Sequence, residues 1–465
     1  MRSLRRLAVV VAAIVSAGAA ARQIAPAAPD SRPGTRRVTY TEALPVLERL
    51  APDLAAAIAR RPPSEHAAAW REWLSRRDAA VVARLARGDE DTVVNLLRFG
   101  TSFTRQPRLS AERGAPPSGD VLRARIGDLI AGLAAPGSNE RLQYALDVVR
   151  RRGLDPSSTA GRDDVRAYLE DLTTRTAGEV DSYARTLAEG RAQGRGELAV
   201  RSTLYRQRGL SSDTSIRPDF AIDQALAALR SRGLLAPRSV QRVAVVGPGL
   251  DFTDKAEGYD FYPQQTTQPF SVIDSLRRGG LADGDRLALT TIDLSARVNA
   301  HLRAAQQRAA AGAGYLLTLP RERRGGWTAA LAGFWRTAGG SIGAPAAPPS
   351  TLPDVDVRAI RVRPEIVQSI AVRDLDVVTE RLDPLPDDER FDLVIATNVL
   401  VYYDVFEQSL ALATIAAMLR PGGFLLSNNV LVELPATPMR SIGHSDAIYS
   451  DRPDDRDQIV WYRRN

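Results

Sequence analysis

The chain has 465 residues, 44% of them hydrophobic and 25% charged, with 62 basic against 55 acidic side chains, no cysteine and three histidines. That leaves room for two or three domains and a large core in an ordinary globular protein. It excludes disulfides, cysteine nucleophiles and thiolate metal sites, and the scatter of His66, His301 and His444 speaks against a histidine-built centre, so no metal is expected.

At the start of the chain, Arg2, Arg5 and Arg6 precede an apolar run from Leu7 to Ala17 and then Gly18-Ala19-Ala20-Ala21. This is the charged region, short hydrophobic region and small-residue cleavage site of a secretory signal peptide, residues 1–21. The run is shorter than the roughly 20 residues of a membrane-spanning helix; an uncleaved N-terminal anchor is the alternative. Either reading exports the body of the protein to the periplasm or the outside. Without the leader, 59 basic and 55 acidic side chains remain, a formal charge of +4. The charges are interspersed, with no basic stripe carrying aromatics, so nucleic acid is not the expected partner. Every basic residue except Lys255 is arginine.

Residues 22–37, rich in Ala, Pro and Arg, read as a linker. Residues 38–235 read as an all-α domain. Asp89 opens a helix through Val93, Val94 and Leu97 to Phe99. Ser138 caps another that sets Leu142, Ala145, Leu146 and Val149 on one face, and Asp163 begins a longer one with Val165, Tyr168, Leu169 and Leu172 inward. Arg61-Pro62-Pro63, Ala115-Pro116-Pro117 and Asp155-Pro156 mark turns.

From residue 236 to 465 the pattern alternates. Val243 to Val246 is a short β-branched run ending in glycine, as a buried parallel strand does. Similar runs follow at Leu287 to Ile292, Val355 to Val362, Phe391 to Ala396 and Phe424 to Ser427, separated by helical stretches. The expectation is an α/β fold, a doubly wound, mostly parallel seven-stranded sheet. Ala447 to Ser450 and Ile459 to Arg463 then form an antiparallel hairpin on its edge.

Three places carry chemistry. Gly247-Pro248-Gly249 follows the first strand, where glycines let a ligand approach the backbone at the carboxyl end of the sheet. Asp293 ends the second strand, where a carboxylate accepts from both hydroxyls of a ribose. It lies 44 positions beyond Gly249, against about 20 in a nicotinamide-binding fold, which argues against a plain dehydrogenase. The third is Phe391-Asp392-Leu393-Val394-Ile395-Ala396-Thr397-Asn398-Val399-Leu400-Val401-Tyr402-Tyr403-Asp404, followed by a helix through Leu410 to Leu419 and by Arg420-Pro421-Gly422-Gly423.

This last stretch resembles class I S-adenosylmethionine-dependent methyltransferases, over about Val240 to Asn465. The wording Asn-Val-Leu-Val-Tyr-Tyr-Asp is closest to the chemoreceptor glutamate methyltransferases, and Gln268-Pro269-Phe270-Ser271 is similar to the start of their first sheet-packing helix. The resemblance implies a Rossmann-like domain with S-adenosylmethionine as cofactor. Gly247 and Gly249 would border the methionine end and Asp293 would hold the ribose. Asp374, or Asp376 in competition with it, would contact the adenine amine. Asn398, with Tyr402 and Tyr403 as catalytic residues, would line the cavity where the methyl points. The acceptor, a carboxylate, hydroxyl or amine, is left open.

Two departures stand out. The family's acid two positions before the first glycine is Val245 here, and Asp251 stands where a third glycine is common. The segment from Phe252 to Pro263 gathers acids, aromatics and the sole lysine; Asp251 or Glu257 is then the expected replacement acid, with Lys255, Tyr259 and Tyr262 as substrate or lid residues. Two other readings stand beside methyl transfer. One is an exported, non-catalytic binding or scaffold protein, since the cofactor is made in the cytosol and fold does not fix function. The other, more remote, is a serine hydrolase, since Gly339-Gly340-Ser341-Ile342-Gly343 has nucleophile-elbow spacing and His444 lies downstream. Its serine, however, follows a helix instead of the strand an elbow needs.

Overall fold

The computed structural model describes residue 32 and residues 34–109, 119–192, 208–251, 263–284, 286–321, 326–349, 356–452 and 455–465. The leader 1–21 lies outside them, as does the stretch with Lys255, Glu257, Tyr259 and Tyr262. Among the described residues no helix is long and apolar enough to cross a membrane.

The chain opens with β1 (Thr35–Arg37), α1 (Tyr40–Leu50), α2 (Pro52–Ala59) and α3 (His66–Phe99), then α4 (Gly119–Ala134), α5 (Glu140–Arg151), α6 (Thr159–Ala192) and α7 (Arg217–Ser231). Thr39 and Glu42 form a reciprocal capping box at the start of α1. Asp89 does not open a helix. It lies inside α3, and its carboxylate instead accepts from Tyr144 Oη at 2.8 Å and Arg151 Nη2 at 2.8 Å. Asn139, not Ser138, caps α5 by accepting from the Arg141 and Leu142 N–H groups.

The second half runs β2 (Arg242–Val246), α8 (Gln268–Arg278), β3 (Ala288–Asp293), α9 (Ala296–Ala310), β4 (Tyr315–Pro320), α10 (Ala329–Thr337), β5 (Gly343–Ala346) and β6 (Val357–Val362). It continues with α11 (Pro364–Gln368), β7 (Ile370–Asp374), β8 (Glu380–Leu382), β9 (Phe391–Ala396), α12 (Val405–Met418), β10 (Leu419–Ser427), β11 (Met439–Ile448) and β12 (Arg456–Arg464). Seven strands make the main sheet in the order β11-β12-β10-β9-β2-β3-β7. β7, β3, β2, β9 and β10 pair in parallel, and β12 runs antiparallel to both of its neighbours. The expected Rossmann-like sheet with an edge hairpin is therefore present. The Pro421-Gly422-Gly423 turn is a register break inside β10, between Leu419 and Phe424.

One strand moves. The run ending at Val362 was expected in the main sheet, but β6 lies between β4 and β5 in a separate three-stranded antiparallel sheet. An apolar run is the same whichever sheet buries it. β7, the edge strand beside β3, carries the weaker Ile-Ala-Val-Arg-Asp pattern.

Side chains along β2 alternate between two cores. Val243 and Val245 face α7, α8 and the small sheet, while Ala244 and Val246 face α12, α1 and the first turns of α3, where Trp70 and Leu74 are buried. Residues on both sides of the 235/236 division thus share one core: α7 supplies Phe220, Ile222 and Leu226 to the sheet, and β1, from the end of the expected linker, pairs with β8. The far half of α3 joins α4, α5 and α6 in a separate helical core. There the buried Arg125 donates to the Leu97 carbonyl at 2.6 Å, occupying an end-of-helix acceptor. α3 therefore spans both halves of the molecule.

Candidate functional site

A cavity of about 410 Å³ opens where β2, β3, β7 and β9 end, a size typical of small-molecule sites. Gly247, Gly249, Asp293, Asn398, Tyr402 and Tyr403 all line it. Three segments well separated in sequence meet there because parallel strands bring their carboxyl ends to one rim.

The glycines are required by geometry. Gly247 has φ +63° and Gly249 φ +61°. A Cβ on Gly247 would lie 2.4 Å from Val399 Cγ2, and one on Gly249 would lie 2.8 Å from Thr214 Cβ. Gly247 N–H donates to the Ile292 carbonyl at 2.8 Å, tying the loop to the end of β3. Asp293 accepts from the Ser295 N–H at 2.7 Å. Burial pushes its carboxyl up to about 6, against the backbone N–H groups of Ser295, Gly249 and Leu294, which favour the ionised form.

Asn398 takes a left-handed conformation, φ +59°, at the end of β9. Its N–H donates to Asn428 Oδ1 at 2.9 Å, and Asn428 Nδ2 donates back to Asn398 Oδ1. Tyr402 and Tyr403 follow on a short 3₁₀ turn that Asp404 closes by capping α12 in a box with Glu407. Burial pushes both phenols above their ordinary value, so both are neutral at physiological pH.

Other expected residues lie elsewhere. Asp374 and Asp376 do not line the cavity; Leu375 and Val377 do. Asp374 is half exposed and lies 3.4 Å from Arg32, whereas Asp376 is buried and ion-paired with Arg77. Leu375 and Val377, on the turn just past β7, border the cavity in place of the two acids and give it an apolar wall. Asp251 is also outside the lining: its buried carboxylate accepts from Gln265 Nε2 at 3.2 Å and from Thr267 Oγ1, anchoring the start of α8. Ser341 follows α10 in a turn and gives its hydroxyl to Asp274 at 2.7 Å, while His444 sits on β11 opposite Val460.

Sequence reasoning missed the far wall of the cavity. Leu85 of α3 and residues 208–215 form it. That segment lies in extended form across the glycine loop: Leu250 N–H donates to Ser212 O at 2.7 Å, and Thr214 N–H to Leu250 O at 2.9 Å. On its other side Leu210 N–H donates to the Arg84 carbonyl, and Gly209 meets Gly88 of α3 so closely that a Cβ on Gly209 would lie 2.4 Å from Gly88 N. The hydroxyl-rich run Ser211-Ser212-Asp213-Thr214-Ser215 is the sequence trace of this strap.

Neither a protein-family model nor a curated protein sequence matches the chain. Solved structures do align with it. The N-methyltransferase NodS from Bradyrhizobium japonicum WM9 in complex with S-adenosyl-L-homocysteine is 13% identical over 54% of this chain and 93% of its own, at a TM-score of 0.24. The magnesium protoporphyrin IX methyltransferase ChlM from Synechocystis PCC 6803 is 11% identical over 62% and 97%, at 0.27. The mitomycin 7-O-methyltransferase MmcR is 12% identical over 86% and 99%, at 0.31. All three scores are low, and the functional reading rests on the strand order and the cavity.

Proposed function

We propose that the chain is an S-adenosylmethionine-dependent methyltransferase of the class I, Rossmann-like type. The observation that carries this reading is the convergence of Gly247, Asp293 and Asn398 on one cavity at the carboxyl ends of the central strands. The residues present fit the cofactor. Two glycines leave a cradle that a Cβ would fill, the half-buried Asp293 carboxylate offers two acceptors to a ribose, and Leu375 and Val377 provide an apolar wall for a base. When bound, the cofactor supplies an electrophilic methyl group on a sulfonium.

The chain's part is alignment and exclusion of water. Tyr402 and Tyr403 would bound the acceptor side as neutral phenols and donate hydrogen bonds. Neither serves as a base near neutral pH, and Asp251 lies outside the cavity. An acceptor already ionised needs no base, which favours a carboxylate, the class suggested by the Asn398–Asp404 wording. Export of the protein through residues 1–21 is part of the same proposal, and N-terminal sequencing of the envelope-fraction protein tests it: a full-length cytosolic species overturns it.

Calorimetric titration of the full chain with S-adenosylmethionine and S-adenosylhomocysteine is the primary test. Micromolar binding that Asp293→Ala removes supports the reading; no heat at high protein concentration overturns it. A second reading, a non-catalytic binding protein on this fold, draws on Val245, which is fully buried and brings no acid to the loop. Binding without methyl transfer to any carboxylate, hydroxyl or amine acceptor favours it.

A further inference from the structure

The polar groups needed at one end of the proposed ligand are absent from the sheet. β2 ends in Val245 and Val246, both buried, and the glycine loop offers only backbone. Asp251 is occupied by Gln265 and Thr267. An amino-acid terminus placed beside Gly247 and Gly249 therefore needs partners from another element.

The strap supplies them. Ser211, Asp213 and Ser215 border the cavity too, but each already holds a partner in the strap, on α3 or at the start of α7. The Ser211 hydroxyl lies 3.1 Å from Thr92 Oγ1 and accepts from the Asp213 N–H at 3.1 Å. Asp213 accepts from Asn95 Nδ2 at 2.8 Å, and the Ser215 hydroxyl accepts from the Arg217 N–H at 3.4 Å. Ser212 and Thr214 flank Gly249: a Cβ there would lie 3.0 Å from Ser212 O and 2.8 Å from Thr214 Cβ. Ser212 is 8% exposed, lines the cavity, and its Oγ has no hydrogen-bond partner among the described residues. A buried hydroxyl without a partner costs stability unless a ligand fills the vacancy.

We infer that Ser212 and Thr214 bind the carboxylate of the cofactor's methionine end, so that the strap, and not the acid missing at position 245, recognises the amino-acid terminus. This rests on the methyltransferase reading. It makes the segment after the helical region a component of the cofactor site.

The test compares two probes on the full chain: S-adenosylhomocysteine, which carries the amino-acid end, and 5′-methylthioadenosine, which lacks it. Ser212→Ala is expected to weaken the first about tenfold, the loss of one hydrogen bond to a charged group, and to leave the second unchanged. Thr214→Val is expected to do the same. Thermal unfolding of unliganded Ser212→Ala should be unchanged or raised, because the hydroxyl removed has no partner; a residue kept for structure alone would lower it. If Ser212→Ala leaves S-adenosylhomocysteine binding intact, or weakens both probes equally, the inference is overturned while the methyltransferase reading stands. If the unaltered chain binds neither probe, both fall.

Discussion

The guanidinium of Arg84 lies 5.7 Å from the centre of the Tyr403 ring, and Arg77, two turns earlier on α3, lies 5.6 Å from the same ring. One helix from the first half of the chain thus holds the aromatic wall of a cavity built on the second. Arg84 also donates to the Tyr402 carbonyl at 2.6 Å. Arg77 reaches Asp376, just past β7, and Glu407 on α12 at 2.7 Å. The turn carrying Leu375 and Val377 and the turn carrying Tyr402 and Tyr403 are therefore tied through a single buried side chain.

Removing Arg77 leaves two carboxylates without their cation in a largely dry environment. Arg77→Met is expected to cost about 3–5 kcal/mol of unfolding free energy, the usual penalty for breaking a buried pair from one side. Denaturant melts of the variant measure it, and Arg77→Met/Asp376→Asn, which also removes one stranded charge, should recover part of the loss. Equal midpoints for single variant and unaltered protein would remove Arg77 as the tie.

Asp293 gives the site a pH dependence with a defined sign. Its carboxyl in the folded chain is pushed up to about 6, above the ordinary 3.8. Its contribution to the stability of the free protein is therefore full below that ordinary value and is lost as pH rises through about 6. Ribose binding has the opposite preference, because hydroxyls donate to the ionised form. S-adenosylhomocysteine affinity is expected to fall by up to about tenfold per pH unit below about pH 6. Asp293→Asn should bind weakly with a flat profile in that range and melt higher than the unaltered protein at pH 7. A pH-independent affinity from 5 to 8 would take Asp293 out of the ribose role.

The parts of the fold that were legible are those whose signals are local. β2 and β9 announce themselves through apolar runs of a few residues. β6 has the same kind of run, yet its sheet is chosen by antiparallel partners at Tyr315 and Gly343, which no local pattern contains. In the site, Gly247, Asp293 and Asn398 sit at strand ends, where period and punctuation place them. Asp374 differs by a residue-level detail: past the end of β7 it is Leu375, not its acidic neighbours, that borders the cavity. The strap's hydroxyl-rich run and part of α3 show in the sequence, but their place beside the glycine loop does not, because that link runs through main-chain bonds between Leu210 and Arg84 and between Leu250 and Ser212.

Asn398 tests how far the local backbone sets the rim. Its φ of +59° suits glycine or asparagine. Asn398→Ala is expected to lose about 1–2 kcal/mol from left-handed strain together with its pairing to Asn428. Asn398→Gly should relieve the strain and melt above the alanine variant. If alanine and glycine variants melt alike, the conformation at 398 is not what holds the two strand ends together.

Gly247 and Val399 are a close meeting of two cavity segments, with an added Cβ 2.4 Å from Val399 Cγ2. Gly247→Ala combines that clash with φ +63°, and overpacking of this kind costs about 1–3 kcal/mol in addition to the backbone strain. The variant is expected to lose S-adenosylhomocysteine binding and to melt lower. Val399→Ala removes the opposing methyl groups at small cost by itself. In the double variant the steric part should vanish while the backbone part persists, so stability returns partway and the two changes are strongly non-additive, as residues in contact are. Additive losses across the four proteins would mean that the loop after β2 and the turn after β9 do not meet, and the cavity would lose one of its walls.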